Sequence, residues 1–223
     1  MVADTFPQIG CSNWKRIWMV LRDDTNATSV DDISRSTAHS FTRKMELAHR
    51  NAKIDDVMKK MESYTKFIVV RNPIERLVSA YLDKIHYLHG TAPFQKQVLP
   101  FVKKQRESAQ LADITLQEFL SFTFTREGKY NEHWISYESL CRPCQVNYDV
   151  ILKLESIDED AEKLLRRIGA PANLHYPNRE KTVTTSLAEK YTKNLSSELI
   201  DGLIKEFGSD FLRFGYDMPE RRK

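Results

Sequence analysis

KFIVVRNPIERLVSAYLDKI, residues 66–85, is the stretch that decides the fold. Phe67-Ile68-Val69-Val70 is a short, unbroken run of apolar and mostly β-branched residues, which suits a strand buried on both faces, as in a parallel sheet. Arg71-Asn72-Pro73 interrupts the run, and Pro73 suits the first turn of a following helix. That helix places Ile74, Leu77, Val78, Tyr81 and Ile85 on its packing side. Strand, break and helix in this order form half of a parallel crossover unit.

Outward from this unit the same alternation continues. A second strand is predicted at Tyr148–Leu154, with helices at 13–22, 42–63, 115–123, 158–169, 186–193 and 196–206 and a polar loop over 23–35. Strands alternating with helices predict an α/β fold whose central sheet is mainly parallel and flanked by helices. No repeat, low-complexity tract or Pro/Gly linker divides the 223 residues, so a single domain over 1–223 is expected. The first strand is nearly absent before Pro7, which reads as a truncated N-terminal strand.

Composition narrows the function classes. Hydrophobic residues at 41% and charged residues at 29% argue against disorder. The net charge of +3 is mild, and most cations alternate with acids, so a general nucleic-acid binder is not expected. An anionic substrate met in a local groove is compatible with this balance. No run of 18 apolar residues would span a membrane. MVADTFPQIG is too short and polar for a signal peptide.

Cys141 and Cys144 form C-R-P-C, a spacing used for disulfides, redox sites and half of a zinc site. Zinc would need two more ligands, and His133 stands alone, so no metal is expected. A Cys141–Cys144 clip in an oxidising compartment is the preferred reading, with two reduced thiols in a turn as the alternative. The sequons at Asn26 and Asn194 favour a secretory route only weakly.

Ligands of such folds sit beyond the carboxyl ends of the strands, where helix N-termini present N–H groups. Two junctions suit anions. In PQIGCSNWKR, residues 7–16, Gly10 permits conformations closed to other residues, and N–H groups from Gly10 to Trp14 can form a nest. Ser12 and Asn13 add polar groups, while Lys15 and Arg16 add charge where cations otherwise oppose the helix dipole. An ordinary capped helix is the competing reading. At the second junction Arg71 can bind phosphate bidentately, and Ser79 lies two turns into the helix. A salt bridge to Glu75 and a packing role are the plain alternatives for Arg71 and Ser79.

Together these stretches carry a family resemblance. PQIGCSNWKRIWMVL resembles the 5′-phosphosulfate loop of Golgi carbohydrate sulfotransferases, and VVRNPIERLVSAYLDKI resembles their 3′-phosphate motif. The block from Tyr130 to Leu165 is similar to the one that follows in the chondroitin/dermatan 4-O-sulfotransferase and HNK-1 sulfotransferase group. The resemblance implies the P-loop-like sulfotransferase fold and transfer of a sulfuryl group from 3′-phosphoadenylyl sulfate (PAPS) to a sugar hydroxyl, without a metal. The expected acceptor is an anionic glycan of chondroitin/dermatan or HNK-1 type, with the 4-hydroxyl of N-acetylgalactosamine favoured. The implied location is the Golgi lumen as a type II membrane protein, through an anchor absent from this chain.

By the same resemblance Gly10, Cys11, Ser12, Asn13 and Trp14 would hold the 5′-phosphosulfate, supplemented by Lys15 and Arg16. Arg71 and Ser79 would hold the 3′-phosphate, and Lys181, Thr184 and Thr185 would close over the nucleotide. His39, in STAHSF, resembles a histidine that deprotonates the acceptor hydroxyl, and His133 is the second candidate. The family carries lysine where this chain has Gln8, in the position that neutralises charge on the leaving oxygen. Loss of one preorganised donor costs on the order of 10²–10³ in rate. The alternative to an enzyme is therefore a weakened relative that binds PAPS or glycan.

Overall fold

The computed structural model describes residues 2–4, 10–27, 29–40, 53–86, 92–177, 184–193 and 195–220. Its contacts divide into two units, Met1–Arg71 with Gln145–Glu180 and Asn72–Cys144 with Lys181–Lys223.

The first unit holds a three-stranded parallel sheet in the order β1 (Val2–Asp4), β2 (Lys66–Val70), β3 (Val150–Lys153). The central strand pairs Val2 with Lys66 on one side and Phe67 with Val150 on the other. Phe67 to Val70 are fully buried, as the β-branched run predicts for a strand covered on both faces. Lys66 and Asp149 fasten the entry to both strands. The Lys66 N–H donates to Asp149 Oδ2 at 2.7 Å, the Asp149 N–H to the Lys66 carbonyl at 2.7 Å, and the ammonium lies 3.1 Å from the carboxylate. These bonds favour the charged form and hold the Asp149 carboxyl below its ordinary value.

Helix α1 (Cys11–Leu21) turns Trp14, Ile17, Trp18 and Met19 inward. The rings of Trp14 and Trp18 lie 4.7 and 6.1 Å from Phe67, so this helix covers the central strand. The short helix α2 (Arg35–Ser40) lies beside α1, with Met19, Ile33 and Ala38 in a small core of their own. Helix α3 (Ile54–Ser63) buries no residue; the part of the expected 42–63 helix before Lys53 lies outside the described residues. Helix α8 (Ile157–Arg167) follows β3, with three acids in its first turn and two arginines in its last, each charge favoured by the helix dipole.

The second unit is helical: α4 (Pro73–Ala80), α5 (Ala92–Lys103), α6 (Leu116–Thr123), α7 (Tyr137–Cys141), α9 (Thr184–Thr192) and α10 (Ser197–Arg213). After α4 the chain widens into a π turn over Tyr81–Ile85, closed by the His86 N–H on the Tyr81 carbonyl at 2.8 Å. Leu77, Phe119, Trp134, Leu203, Phe207 and Phe211 lead its core. Polar groups are paired inside it: Trp134 Nε1–H donates to the Gly128 carbonyl at 2.8 Å, for example, and the Tyr81 hydroxyl to the Ile114 carbonyl at 2.9 Å. Helices α5 and α7 have no counterpart among the helices expected from sequence, and α10 runs seven residues past its predicted end at 206.

Candidate active site

Gly10 adopts the left-handed conformation at φ 79°, ψ 22°, directly before α1. Its carbonyl accepts the N–H of Asn13 at 3.0 Å and of Trp14 at 3.4 Å. Among the described residues no side chain caps the helix, and its first turn carries no acid, so its own first turn leaves its positive end open to an anion. A left-handed residue followed by a helical one turns successive N–H groups toward one point, as an anion nest requires. The first turn also explains why glycine stands there. A Cβ on Gly10 would meet the Tyr176 hydroxyl at 2.7 Å. Tyr176 is buried, its ring 5.3 Å from Trp14, and its N–H is held by Glu162 Oε1 at 3.0 Å. Sequence reasoning missed Tyr176, because nothing local in HYPN marks it as a partner of a loop far upstream.

The expected donor-binding residues divide by direction. Trp14 is fully buried between Phe67 and Tyr176 and its N–H closes the turn on Gly10, so it shapes the loop from the core rather than facing a ligand. Asn13 Oδ1 accepts Arg16 Nη1–H at 3.1 Å, which turns that cation along the first turn. Cys11 is a half-buried thiol. Lys15 is only 6% exposed, yet its ammonium is not lost in the core: Nζ lies 3.3 Å from His39 Nδ1. His39 Nε2 in turn lies 2.9 Å from Ser12 Oγ. The structure therefore joins three residues singled out from two separate stretches: Ser12 and Lys15 on α1, and His39 in the last turn of α2.

Arg71 directly follows β2 with 4% exposure, in the first unit. Ser79 is half-buried in α4, in the second. The N-terminus of α4 differs from that of α1. Asn72 Oδ1 accepts the N–H groups of Ile74 at 2.9 Å and Glu75 at 3.3 Å, and Glu75 adds an acid to the first turn. At this second junction two backbone donors are already capped, so anion binding there falls to side chains.

His133 sits in the second unit with its ring 4.8 Å from Phe94 in edge contact. Burial, reinforced by the Lys84 ammonium, pushes its imidazolium down to about 4, so the ring is neutral near pH 7. Its Nδ1 is buried with no hydrogen-bond partner among the described residues. The backbone around it is held by Arg76, 1% exposed, which donates to the carbonyls of Glu132 and Ile135 and lies 4.7 Å over the Tyr137 ring. Asp210, also 1% exposed, accepts the N–H groups of Tyr137 at 2.8 Å and Glu138 at 3.0 Å and so caps α7.

Gln8 and Lys181 lie outside the described residues; Thr184 opens α9, and of its side chain nothing is described. The preferred Cys141–Cys144 clip is not formed. Cys144 is an exposed thiol receiving Arg213 Nη2–H at 2.7 Å, and the left-handed Arg142 between the two cysteines ends α7. No cluster of three metal-binding side chains occurs among the described residues.

A model of the sulfotransferase family matches residues 1–217. The chain belongs to the sulfotransferase family. It is 31% identical to carbohydrate sulfotransferase 11 of Rattus norvegicus, over 97% of this chain and 64% of the relative. It is 32% identical to carbohydrate sulfotransferase 12 of Mus musculus, over 96% and 57%, and 32% identical to carbohydrate sulfotransferase 8 of the same species, over 96% and 53%. The chain thus spans between half and two thirds of the length of these relatives. No solved structure matches significantly. The parallel sheet with flanking helices agrees with an α/β sulfotransferase.

Proposed function

We propose that this chain is a PAPS-dependent carbohydrate O-sulfotransferase acting on an anionic glycan, with the 4-hydroxyl of N-acetylgalactosamine in chondroitin or dermatan as the favoured acceptor. The observation that carries the proposal is the uncapped, acid-free N-terminus of α1 behind left-handed Gly10, with Lys15, His39 and Ser12 joined beside it. Helix polarity, the nest and two cations all favour one anion, and nothing in that turn opposes it.

PAPS, when bound, supplies an activated sulfuryl group and a phosphate at each of two ribose positions. The residues present fit it. Gly10, Cys11 and Ser12 offer N–H groups to the 5′-phosphosulfate, since those of Asn13 and Trp14 close the turn on the Gly10 carbonyl; Ser12 adds a hydroxyl, and Lys15 and Arg16 add positive field. Arg71 and Ser79 are the proposed side-chain ligands of the 3′-phosphate, with Lys181 and Thr184 closing over the nucleotide. His39 is the proposed base for the acceptor hydroxyl, with His133 as the second candidate. As in phosphoryl transfer, the protein's share of such a reaction is positioning and electrostatics. A Golgi luminal location belongs to the same proposal.

The test is transfer of radiolabel from PAPS to chondroitin, dermatan and their desulfated forms. Label on N-acetylgalactosamine supports the proposal. Tight binding of adenosine 3′,5′-bisphosphate with no transfer to any glycan would replace it with the binding-relative reading, which Gln8 favours. In that case Gln8→Lys would restore transfer if the rest of the loop is competent.

A further inference from the structure

The contacts of His39 determine which of its nitrogens carries the proton. A lysine ammonium has three donors and no acceptor. Lys15 Nζ, 3.3 Å from His39 Nδ1, must therefore donate, and Nδ1 must present its lone pair. An imidazolium would set N–H against N–H at this contact, so the ring is neutral and its one proton is on Nε2. Nε2–H then donates to Ser12 Oγ at 2.9 Å. Having accepted that bond, the Ser12 hydroxyl directs its own proton away from His39. Ser12 is the second residue of α1, in the turn where the Cys11 and Ser12 N–H groups lack intrahelical carbonyls.

We propose that Lys15 is a positioning residue that fixes His39 as its Nε2–H tautomer, making Lys15, His39 and Ser12 one directed chain of hydrogen-bond donors. The chain ends in the Ser12 hydroxyl proton, presented to an anion of the phosphosulfate or phosphate class at the start of α1. Each bond polarises the next, so the charge on a nearly buried ammonium strengthens a donor two residues removed from it. While Lys15 keeps this contact, His39 Nε2 is a donor and takes no proton. Acting as a base requires the chain to open first. The tautomer is argued from the Lys15 and Ser12 contacts; only the identity of the anion rests on the sulfotransferase reading.

The test uses the full chain labelled with ¹⁵N-histidine and long-range proton–nitrogen correlation at neutral pH. His39 is assigned by the signal lost in His39→Gln. In the wild type the expected His39 form has a protonated Nε2 and an unprotonated Nδ1. Lys15→Met keeps the buried stem but removes the donor, and the ratio of Nε2–H to Nδ1–H forms should fall several-fold. Lys15→Arg, another donor-only cation, should keep it. A wild-type ring protonated at Nδ1, or a ratio unchanged in Lys15→Met, overturns the proposal; the first of these can be read even if that variant does not fold. Ser12→Ala should leave the tautomer intact and weaken adenosine 3′,5′-bisphosphate binding about tenfold, the effect of one hydrogen bond to a charged group. Unchanged affinity in Ser12→Ala would also overturn it. Absence of sulfuryl transfer would instead strike at the proposed function and leave the tautomer standing.

Discussion

Replacing Gly10 with alanine tests the architecture of the loop in a way that separates two costs. The backbone at φ 79° is left-handed, which costs a residue with a Cβ about 1–2 kcal/mol. The new methyl would also lie 2.7 Å from the Tyr176 hydroxyl, while its next neighbour, Leu154 Cδ1, is at an ordinary 3.5 Å. Tyr176 cannot swing away freely, because its ring packs on Trp14 and its N–H is bonded to Glu162. Overpacking of this kind costs about 1–3 kcal/mol, so Gly10→Ala should lose about 2–5 kcal/mol in total. Tyr176→Phe removes the clashing oxygen and nothing else in the ring. In that background Gly10→Ala should cost only the backbone part, about 1–2 kcal/mol. Urea denaturation followed by tryptophan emission, with the slope m compared across the four proteins, measures this cycle. An equal cost of Gly10→Ala in both backgrounds would refute the reasoning that Tyr176 presses on the loop.

Three further outcomes follow from the second unit. His133, held down to about 4 first by burial and then by Lys84, should titrate well below an exposed histidine in NMR. Lys84→Met should raise its value, and a titration near 6.5 in the wild type would contradict the burial. Burial raises the Asp210 carboxyl from 3.8 to about 6. Between those values the folded chain holds a proton that the unfolded chain has released, so this group's contribution to stability falls as pH rises through the window. The stability difference between wild type and Asp210→Asn should show that slope in urea midpoints from pH 4 to 7; the opposite slope would count against it. Arg76→Met should cost about 2–4 kcal/mol by leaving the Glu132 and Ile135 carbonyls unpaired, and an unchanged urea midpoint would show that the guanidinium is dispensable.

Legibility in the sequence followed the range of the interactions. The β2–α4 unit could be read from Phe67 to Ile85 because a continuous β-branched run and a proline at the helix start are local signals. Gly10 was legible for the same reason: a small-residue turn before an amphipathic helix asks for a left-handed conformation. The Asn72 cap was present in the letters N-P-I-E, but reading that junction as an anion site obscured it. What local pattern does not carry is which distant side chains meet. Ser12 and His39 are 27 residues apart, and Tyr176 reaches Gly10 only because Glu162 on α8 anchors the segment that follows it. Helix α5 escaped detection because Pro100 lies inside it, where proline ordinarily argues for a break. The cysteine pair misled because its spacing permits a bridge, whereas the fold gives Cys144 to Arg213.

The central claim is that the chain binds a nucleotide carrying phosphate at both the 5′ and 3′ positions, with the 5′ group at the start of α1. Calorimetric titration of the full chain with adenosine 3′,5′-bisphosphate, 5′-AMP and 3′-AMP tests it most directly. The account predicts that removing either phosphate weakens binding at least about tenfold, as loss of charge-assisted hydrogen bonds requires. Equal affinity for the bisphosphate and 5′-AMP, or no binding by a folded chain, would contradict it.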